Sequence, residues 1–180
     1  MFPHRVNHAG LAQHACLCLC VMSGYGVARA QETHAKYSTV ANVEEISDGE
    51  LAAAIDRAVR GARRRLQREE CARVFDDFSD GNGRSLSGVV STMVWSPTDV
   101  VSRAIFRDGR EHEACRTSAV AAFTGPGSRV VFVCGNRFGT LGRERAELII
   151  IHELLHTLGL REQPPTPGAI DGVLARRCGS

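Results

Sequence analysis

The sequence predicts an α+β fold: a single domain in which a small mixed sheet packs on a long helix. The length of 180 residues suits one domain with one core, but not two. Apolar residues recur at helical spacing over residues 48–74 and 143–158. Two strand candidates, residues 118–123 and 129–134, are joined by a loop containing Gly and Pro, which is typical of a hairpin.

Residues 1–30 have the pattern of a secretory signal peptide. A basic start precedes an apolar segment at about residues 17–22, and Ala28-Arg29-Ala30 fits the small-x-small cleavage rule, so Gln31 would begin the mature chain. The apolar segment is too short to span a membrane, and no lipoprotein motif precedes a cysteine, so we expect no membrane anchor. The alternative is an N-terminal tail or a wrongly assigned start. The pattern predicts a secreted or periplasmic protein.

Charge and composition exclude some functions. Hydrophobic residues make up 43% of the chain and charged residues 23%, which are ordinary values for a globular protein. Lys and Arg number 22 against 20 Asp and Glu. Arg5 and Arg29, in the leader, account for the excess. The mature chain is therefore close to neutral, which argues against a nucleic-acid partner or an anionic membrane surface.

Four cysteines follow the leader: Cys71, Cys115, Cys134 and Cys178. An even number in an exported chain indicates two disulfides, and four cysteines allow three pairings. We favour Cys115–Cys134 across two neighbouring strands and Cys71–Cys178 between the first helix and the C-terminus. The second bond would close a long loop and contribute about 4–5 kcal/mol in the chain-entropy model. A Cys-ligated zinc is the alternative, but no cysteine pair has the close spacing of such sites.

Caps and composition define the N-terminal elements. Residues 31–46 are polar and unpatterned, and they predict an extended N-terminal arm. Ser47-Asp48-Gly49-Glu50 is a capping-box pattern with Ser47 as the N-cap, and it predicts a helix over residues 48–74. The run Arg63-Arg64-Arg65 lies in this helix, where we favour a solvated helix face over a binding patch.

The remaining elements follow from turn and cap residues. Asp77–Gly83 predicts a turn-rich loop, and its acidic spacing does not match a calcium site. Residues 100–107 predict a strand, with a short helix starting near Asp99 as the alternative. Thr166 as cap and Pro167 as first residue predict a short C-terminal helix.

The helix predicted over residues 143–158 has an apolar side and a chemical side. The apolar side is a stripe for the core, formed by Leu148, Ile151, Leu155 and Leu158. His152 and His156 follow an adjacent side, and two residues four apart lie about 40° apart around a helix axis. Both imidazoles can therefore bind one metal ion, and Glu153 between them can act as general base toward a metal-bound water. This arrangement predicts a zinc site.

A catalytic zinc needs three protein ligands and one open position. His152 and His156 supply two of them. Gly159 can end the helix in a left-handed conformation and let the chain turn back, and Glu162 stands ten residues after His152. We therefore expect a Zn²⁺ cofactor with Glu162 as the third ligand, and with Asp171 or another carboxylate as reserve.

The motif His152-Glu-x-x-His156-x-x-Gly159-x-x-Glu162 resembles that of the metzincin branch of the zincin metallopeptidases. The family has His or Asp at the last position, and the small secreted proteases of the snapalysin type, with Asp there, are nearest in size. The resemblance covers residues 147–162. The chain departs from the family in the Glu at the last position, in having no Met after Met93 for the Met-containing turn, and in having no Tyr after Tyr37.

The resemblance implies a small, divergent zincin-like metallopeptidase domain over residues 47–180, with N-terminal and C-terminal helices beside the active-site helix. In zincins an edge strand above that helix binds an extended peptide, and residues 129–134 would take this place. Glu153 would take a proton from the water and later deliver it to the leaving amine. For His112 we favour a surface position, although it could face the cleft and stabilise an oxyanion. Arg161 is near the motif in sequence, but nearness alone does not assign it to the oxyanion.

These expectations combine into a secreted, monomeric zinc endopeptidase with a peptide or protein substrate. One alternative keeps the zinc without turnover, as a zinc-stabilised binding protein. Another is a zinc amidase that acts on a non-peptide or cell-wall amide. Glu153 separates the first alternative from an enzyme, because a purely structural zinc site needs no general base and closes its fourth position.

Overall fold

The chain folds as an α+β protein in the computed structural model, which describes residues 42–117 and 119–179. The predicted signal peptide, residues 1–30, lies outside the described residues, as does the predicted arm up to residue 41. Within the described ranges, no helix is long and apolar enough to cross a membrane. The predicted α+β class is confirmed.

The structure consists of long and short helices and a few short strands. The helices are α1 (Gly49–Leu66), α2 (Glu69–Ala72), α3 (Val74–Asp77), α4 (Leu86–Thr92), α5 (Pro97–Arg103), α6 (Gly135–Phe138), α7 (Arg143–Thr157) and α8 (Pro167–Cys178), with a 3₁₀ helix at Glu113–Arg116. The strands are β1 (Asn42–Val43), β2 (Ile105–Asp108), β3 (Ala122–Phe123) and β4 (Val130–Val133). α7 is the central helix, since it packs against α1, α5, α8 and the strands β3 and β4.

The sheet is mixed, with the strand order β1-β2-β4-β3. β1 and β4 both pair with β2 in parallel, and β3 pairs with β4 in antiparallel fashion. The expectation that residues 129–134 form an edge strand was wrong, because β4 has a hydrogen-bonded neighbour on each side. Along this sheet the edge strands are β1, which comes from the end of the predicted arm, and β3.

The predicted hairpin is present but its first strand is short. Ala122 pairs with Val133 and Phe123 with Phe132. Of the predicted strand 118–123, only these last two residues join the ladder, and Ser118 lies outside the described residues.

The first helix differs from the prediction at both ends. Asp48, not Ser47, is the N-cap, and its carboxylate accepts hydrogen bonds from two backbone N–H groups of the first turn. Asp48 takes this role because it has extended dihedrals directly before the first helical residue. The helix ends at Leu66 rather than at residue 74, because the backbone becomes extended at Arg68 before α2 begins.

Two later helix starts agree with the sequence. Each alternative for residues 100–107 is correct for part of the segment, since α5 occupies its beginning and β2 its end. Ser96 and Asp99 form a capping box at the start of α5. Thr166 caps α8 and Pro167 is its first residue, as predicted.

The run Arg63-Arg64-Arg65 does not form one solvated face. Arg63 and Arg64 are exposed, but the side chain of Arg65 is only 14% exposed. Its Nε donates to Glu147 Oε2 of α7 at 2.6 Å, and its Nη1 donates to the carbonyl oxygen of Cys178. The solvated-face interpretation was wrong for Arg65, because α7 and the end of α8 cover that side of α1.

The core lies around α7. The largest fully buried side chains of α7 are Ile150, Ile151, Leu154 and Leu155. Leu148, part of the predicted stripe, is only partly buried, because it borders a surface groove beside α8. α1 crosses α7 at Gly61, where a Cβ atom would overlap the side chain of Glu147. Glycine at this position therefore leaves room for the Glu147 side chain between the two helices.

Both predicted disulfides are present, Cys71–Cys178 and Cys115–Cys134. The first joins α2 to the last residue of α8. The second was expected to join two strands, but Cys115 lies in the 3₁₀ helix and Cys134 directly follows β4. That part of the expectation was wrong, because the chain after β2 turns into the 3₁₀ helix instead of a further strand.

Candidate metal centre

α7 brings three buried ionisable side chains to one cleft. His152, Glu153 and His156 are 8%, 6% and 5% exposed. The carbonyl oxygen of His156 accepts a hydrogen bond from the N–H of Gly127 at 2.8 Å, which ties the hairpin loop to the end of the helix. Gly127 has a φ of 79°, a left-handed conformation that glycine adopts without steric cost. The β3–β4 loop is thus anchored directly at the site.

The chain after α7 turns back toward the helix. Gly159 has a φ of 102°, so the prediction of a left-handed helix end is confirmed. Its carbonyl oxygen accepts a hydrogen bond from Gly81 N–H at 3.1 Å, which fixes the turn against the loop before α4. This turn returns the carbonyl of Leu160 to His156 and brings Glu162 beside the two imidazoles.

Both imidazoles are oriented by hydrogen bonds at Nδ1. His156 Nδ1 lies 2.9 Å from the carbonyl oxygen of Leu160, and His152 Nδ1 lies 2.9 Å from Asp171 Oδ1. A carbonyl or carboxylate oxygen only accepts, so in each neutral ring the proton resides on Nδ1. The Nε2 atoms are then left with free lone pairs, which is the form that binds a metal ion. Burial lowers the pKa of His156, which keeps its ring neutral.

Glu162 completes a group of three ligand atoms. Its Oε1 lies 3.5 Å from His152 Nε2 and 3.3 Å from His156 Nε2, and the ligand atoms of the three residues all lie within 4.8 Å of one another. Two ligand atoms around one tetrahedral ion at 2.0–2.2 Å are about 3.3–3.6 Å apart. The two distances to Glu162 Oε1 match this spacing, so the group can hold a metal ion, and the structure brings together the three residues that the sequence predicted as ligands.

Glu153 is held in an unusual state beside this group. Its Oε2 atom is buried and has no hydrogen-bond partner among the described residues. Burial raises the pKa of Glu153 to about 8, and the nearby carboxylates of Glu162 and Asp171 add to the rise, against a hydrogen bond from the Thr124 backbone. A buried carboxyl oxygen without a partner is costly, and Glu153 Oε2 is such an atom next to the ligand group.

The sequence analysis named Asp171 as a reserve for the third ligand, but Asp171 is not part of the ligand group. It lies on the Nδ1 side of His152, and its Oδ2 accepts a hydrogen bond from Arg145 Nη2 at 2.8 Å. Burial raises its pKa, but hydrogen bonds from His152 and Arg145 outweigh burial and lower the pKa. Asp171 therefore stays charged and orients His152. The sequence reasoning missed this role and Arg145 altogether, because nothing in the pattern places α8 beside α7.

An open cleft of about 630 Å³ exposes the site. The lining includes the segment from Ala119 to Thr124, which contains the edge strand β3, and also Arg161 and Pro167. His112 does not line this cleft. Its ring packs against Phe132 and Phe123, with centroid distances of 4.2 and 5.4 Å. The surface position favoured for His112 is confirmed, since the residue is exposed.

Comparisons with protein-family models, with curated proteins and with solved structures found no match for this chain. The geometry of the described residues thus defines the class of protein by itself. It is an α+β protein with a His–His–Glu group, at the base of an open cleft, that can hold a metal ion.

Proposed function

We propose that the protein is a secreted zinc-dependent hydrolase, an endopeptidase of the zincin type. The observation that carries the proposal is the unpartnered Glu153 Oε2, buried beside the ligand group and lining the cleft. A structural site needs no such group, because its ligands close the coordination sphere. Two imidazoles and one carboxylate are a ligand set that suits zinc, whereas calcium and magnesium take oxygen ligands.

The chain's own residues supply the proton transfers of the proposed reaction. Zinc, when bound, supplies a Lewis acid that polarises a carbonyl and makes water nucleophilic at neutral pH. Glu153 Oε2 accepts the proton of the attacking water and delivers it to the amine nitrogen of the leaving group. Burial raises the pKa of Glu153 above the ordinary value of a carboxyl group, which makes its carboxylate a stronger base toward the water proton.

The cleft wall supports an extended substrate. β3 pairs with β4 on one side, and its other edge has no strand partner among the described residues. A peptide can add to such an edge through backbone hydrogen bonds, with its scissile bond over α7. In this role β3 replaces the strand at 129–134, which is central in the sheet.

The motif and the disulfides support the finer parts of the proposal. The zincin assignment comes from the resemblance over residues 147–162, to which the structure adds a helix beneath a sheet edge. Export is supported by the predicted signal peptide and by the two disulfides, which persist in oxidising compartments.

The test combines metal content with hydrolysis on the purified chain. We expect stoichiometric zinc by mass spectrometry in the wild type and in Glu153→Gln, and loss of zinc in Glu162→Ala. Hydrolysis of a quenched peptide library should fall by a factor of about 10²–10⁴ in Glu153→Gln. Glu144→Gln is the matched control, since it makes the same change on the exposed side of α7.

Each other outcome decides between the alternatives. Absence of zinc after reconstitution would overturn the proposal. Zinc without peptide hydrolysis, but with release of amine from acylated amines or cell-wall crosslinks that depends on Glu153, would identify an amidase. Zinc without any turnover would identify a zinc-stabilised binding protein.

A further inference from the structure

A second cavity, of about 400 Å³, lies between α1 and the start of α7, apart from the metal centre. Its rim carries four arginines: Arg57, Arg60 and Arg64 from α1, and Arg143 from α7. We call it the arginine cavity. The three on α1 are spaced by three and four residues, which places them along one side of the helix.

Two of the four guanidinium groups are balanced by carboxylates and two are not. Arg60 pairs with Asp56, and Arg143 Nε donates to Glu147 Oε1 at 2.9 Å. Glu147 is shared, because it also accepts from Arg65. Arg57 and Arg64 have no acidic partner within the described part of the chain. The rim therefore has an excess of two positive charges, in a protein whose described residues are close to neutral overall.

The inner surface of the arginine cavity is apolar. Phe138 is 2% exposed and Ala58 is 3% exposed, and both line the cavity together with Leu141. A concave site with an apolar floor and a few convergent polar groups is the usual form of a small-ligand site. The sequence suggested a solvated face only for the run Arg63-Arg64-Arg65, and of these residues only Arg64 lines the cavity.

We propose that the arginine cavity binds a small phosphomonoester that carries an apolar group. The planar guanidinium group matches phosphate oxygens in bidentate fashion, and two unbalanced guanidinium groups match the two charges of a phosphomonoester. The apolar group lies against Phe138 and Leu141. Binding also relieves the repulsion among the rim cations. The inference does not rest on the proposed hydrolase activity, because the cavity shares no lining residue with the cleft of the metal centre.

Titration calorimetry with phenyl phosphate and methyl phosphate tests the proposal on the purified chain. Both probes carry the same charge and differ in the apolar group. We expect saturable binding of phenyl phosphate, about tenfold tighter than methyl phosphate because the ring is buried. Arg64→Ala and Arg57→Ala should each weaken binding about tenfold through loss of charge-assisted hydrogen bonds.

Arg63→Ala is the matched control, since Arg63 is the exposed neighbour of Arg64 and does not line the cavity. It should change the affinity less than about twofold. Glu162→Ala removes a candidate metal ligand and should leave binding intact. No saturable binding, an equal loss in Arg63→Ala and Arg64→Ala, or a loss in Glu162→Ala would each overturn the proposal. A thermal melt of each variant shows that the fold is kept.

Discussion

Asp171 Oδ1 lies 2.9 Å from Nδ1 of His152, so the C-terminal helix orients one of the two imidazoles that α7 directs into the cleft. Arg145 holds the other oxygen of Asp171 at 2.8 Å. The geometry of the candidate metal centre therefore depends on a contact between two helices, and not on α7 alone.

Loss of the Asp171 contact should weaken metal binding. In Asp171→Asn we expect a zinc affinity about 10–100-fold lower than in the wild type. The reason is that the carboxylate, which fixes the His152 ring and raises its basicity, is lost. Competition with a chromophoric chelator measures this change. Asp76→Asn, an exposed carboxylate on α3, is the control and should leave the affinity unchanged. Equal affinities in the two variants would show that Asp171 does not position His152.

The close crossing of α1 and α7 predicts a strong effect at Gly61. Gly61→Ala should lower the free energy of unfolding by about 2–4 kcal/mol, because the new methyl group displaces a buried, ion-paired Glu147. Urea unfolding of the metal-free chain measures it. Gly168→Ala is the control in a helix with open space around the position, and there the better helix propensity should stabilise by up to about 1 kcal/mol. A neutral Gly61→Ala would mean that the helices can separate without cost.

Glu147 predicts a pH dependence of stability. Burial raises its pKa, but hydrogen bonds and charges of Arg143 and Arg65 outweigh burial, so the folded-state pKa lies below the ordinary value. A lowered folded-state pKa means that the stabilisation is present above the unfolded pKa and is lost as pH falls through the folded pKa. Glu147→Gln should therefore lower the free energy of unfolding by about 2–4 kcal/mol at pH 7, and by progressively less at acidic pH.

Unfolding of Glu147→Gln and wild type is compared from pH 7 down to pH 3 by chemical denaturation. Glu69→Gln is the matched control, since Glu69 pairs with Arg73 but its side chain is 83% exposed. The free energies of unfolding of Glu69→Gln and wild type should differ by less than about 1 kcal/mol at every pH. A difference for Glu147→Gln that is constant with pH would contradict the assignment of a charged, paired carboxylate.

The two disulfides should differ in their contributions to stability. Cys71–Cys178 closes 107 residues and Cys115–Cys134 closes 19. In the chain-entropy model these loops correspond to about 4.8 and about 3.2 kcal/mol. We expect the double variant Cys71→Ala/Cys178→Ala to lose more free energy of unfolding than Cys115→Ala/Cys134→Ala, as measured in urea. The reverse order would show that strain or residual structure outweighs loop length.

Local patterns in the sequence were sufficient for the part of the site on α7 and for the turn after it. His152, Glu153 and His156 follow from the geometry of one helical turn, and Gly159 marks where the chain can reverse toward Glu162. Asp171 could be named only as a reserve ligand, because its contact with His152 depends on how α8 docks on α7. That docking is set by packing across the core, which no local pattern encodes.

The same distinction between local patterns and long-range packing explains which parts of the fold were predicted. The hairpin β3–β4 was predicted because both strands and their loop are contiguous in sequence. The central position of β4 was missed because its parallel pairing with β2 is non-local. The end of α1 at Leu66 was missed because no Gly or Pro marks the break, and residues 67–74 keep a helical composition.

The Cys71–Cys178 disulfide closes the backbone from residue 71 to residue 178 into one covalent ring. The ring contains the strands β2, β3 and β4, the helix α7 and the residues of the candidate metal centre. A single cut of the backbone anywhere inside that ring opens it without separating the two pieces. His152, Glu153, Glu162 and Asp171 then remain on one covalently connected molecule. For a chain proposed to cleave peptides, the bond therefore protects against dissociation after cleavage of one copy by another.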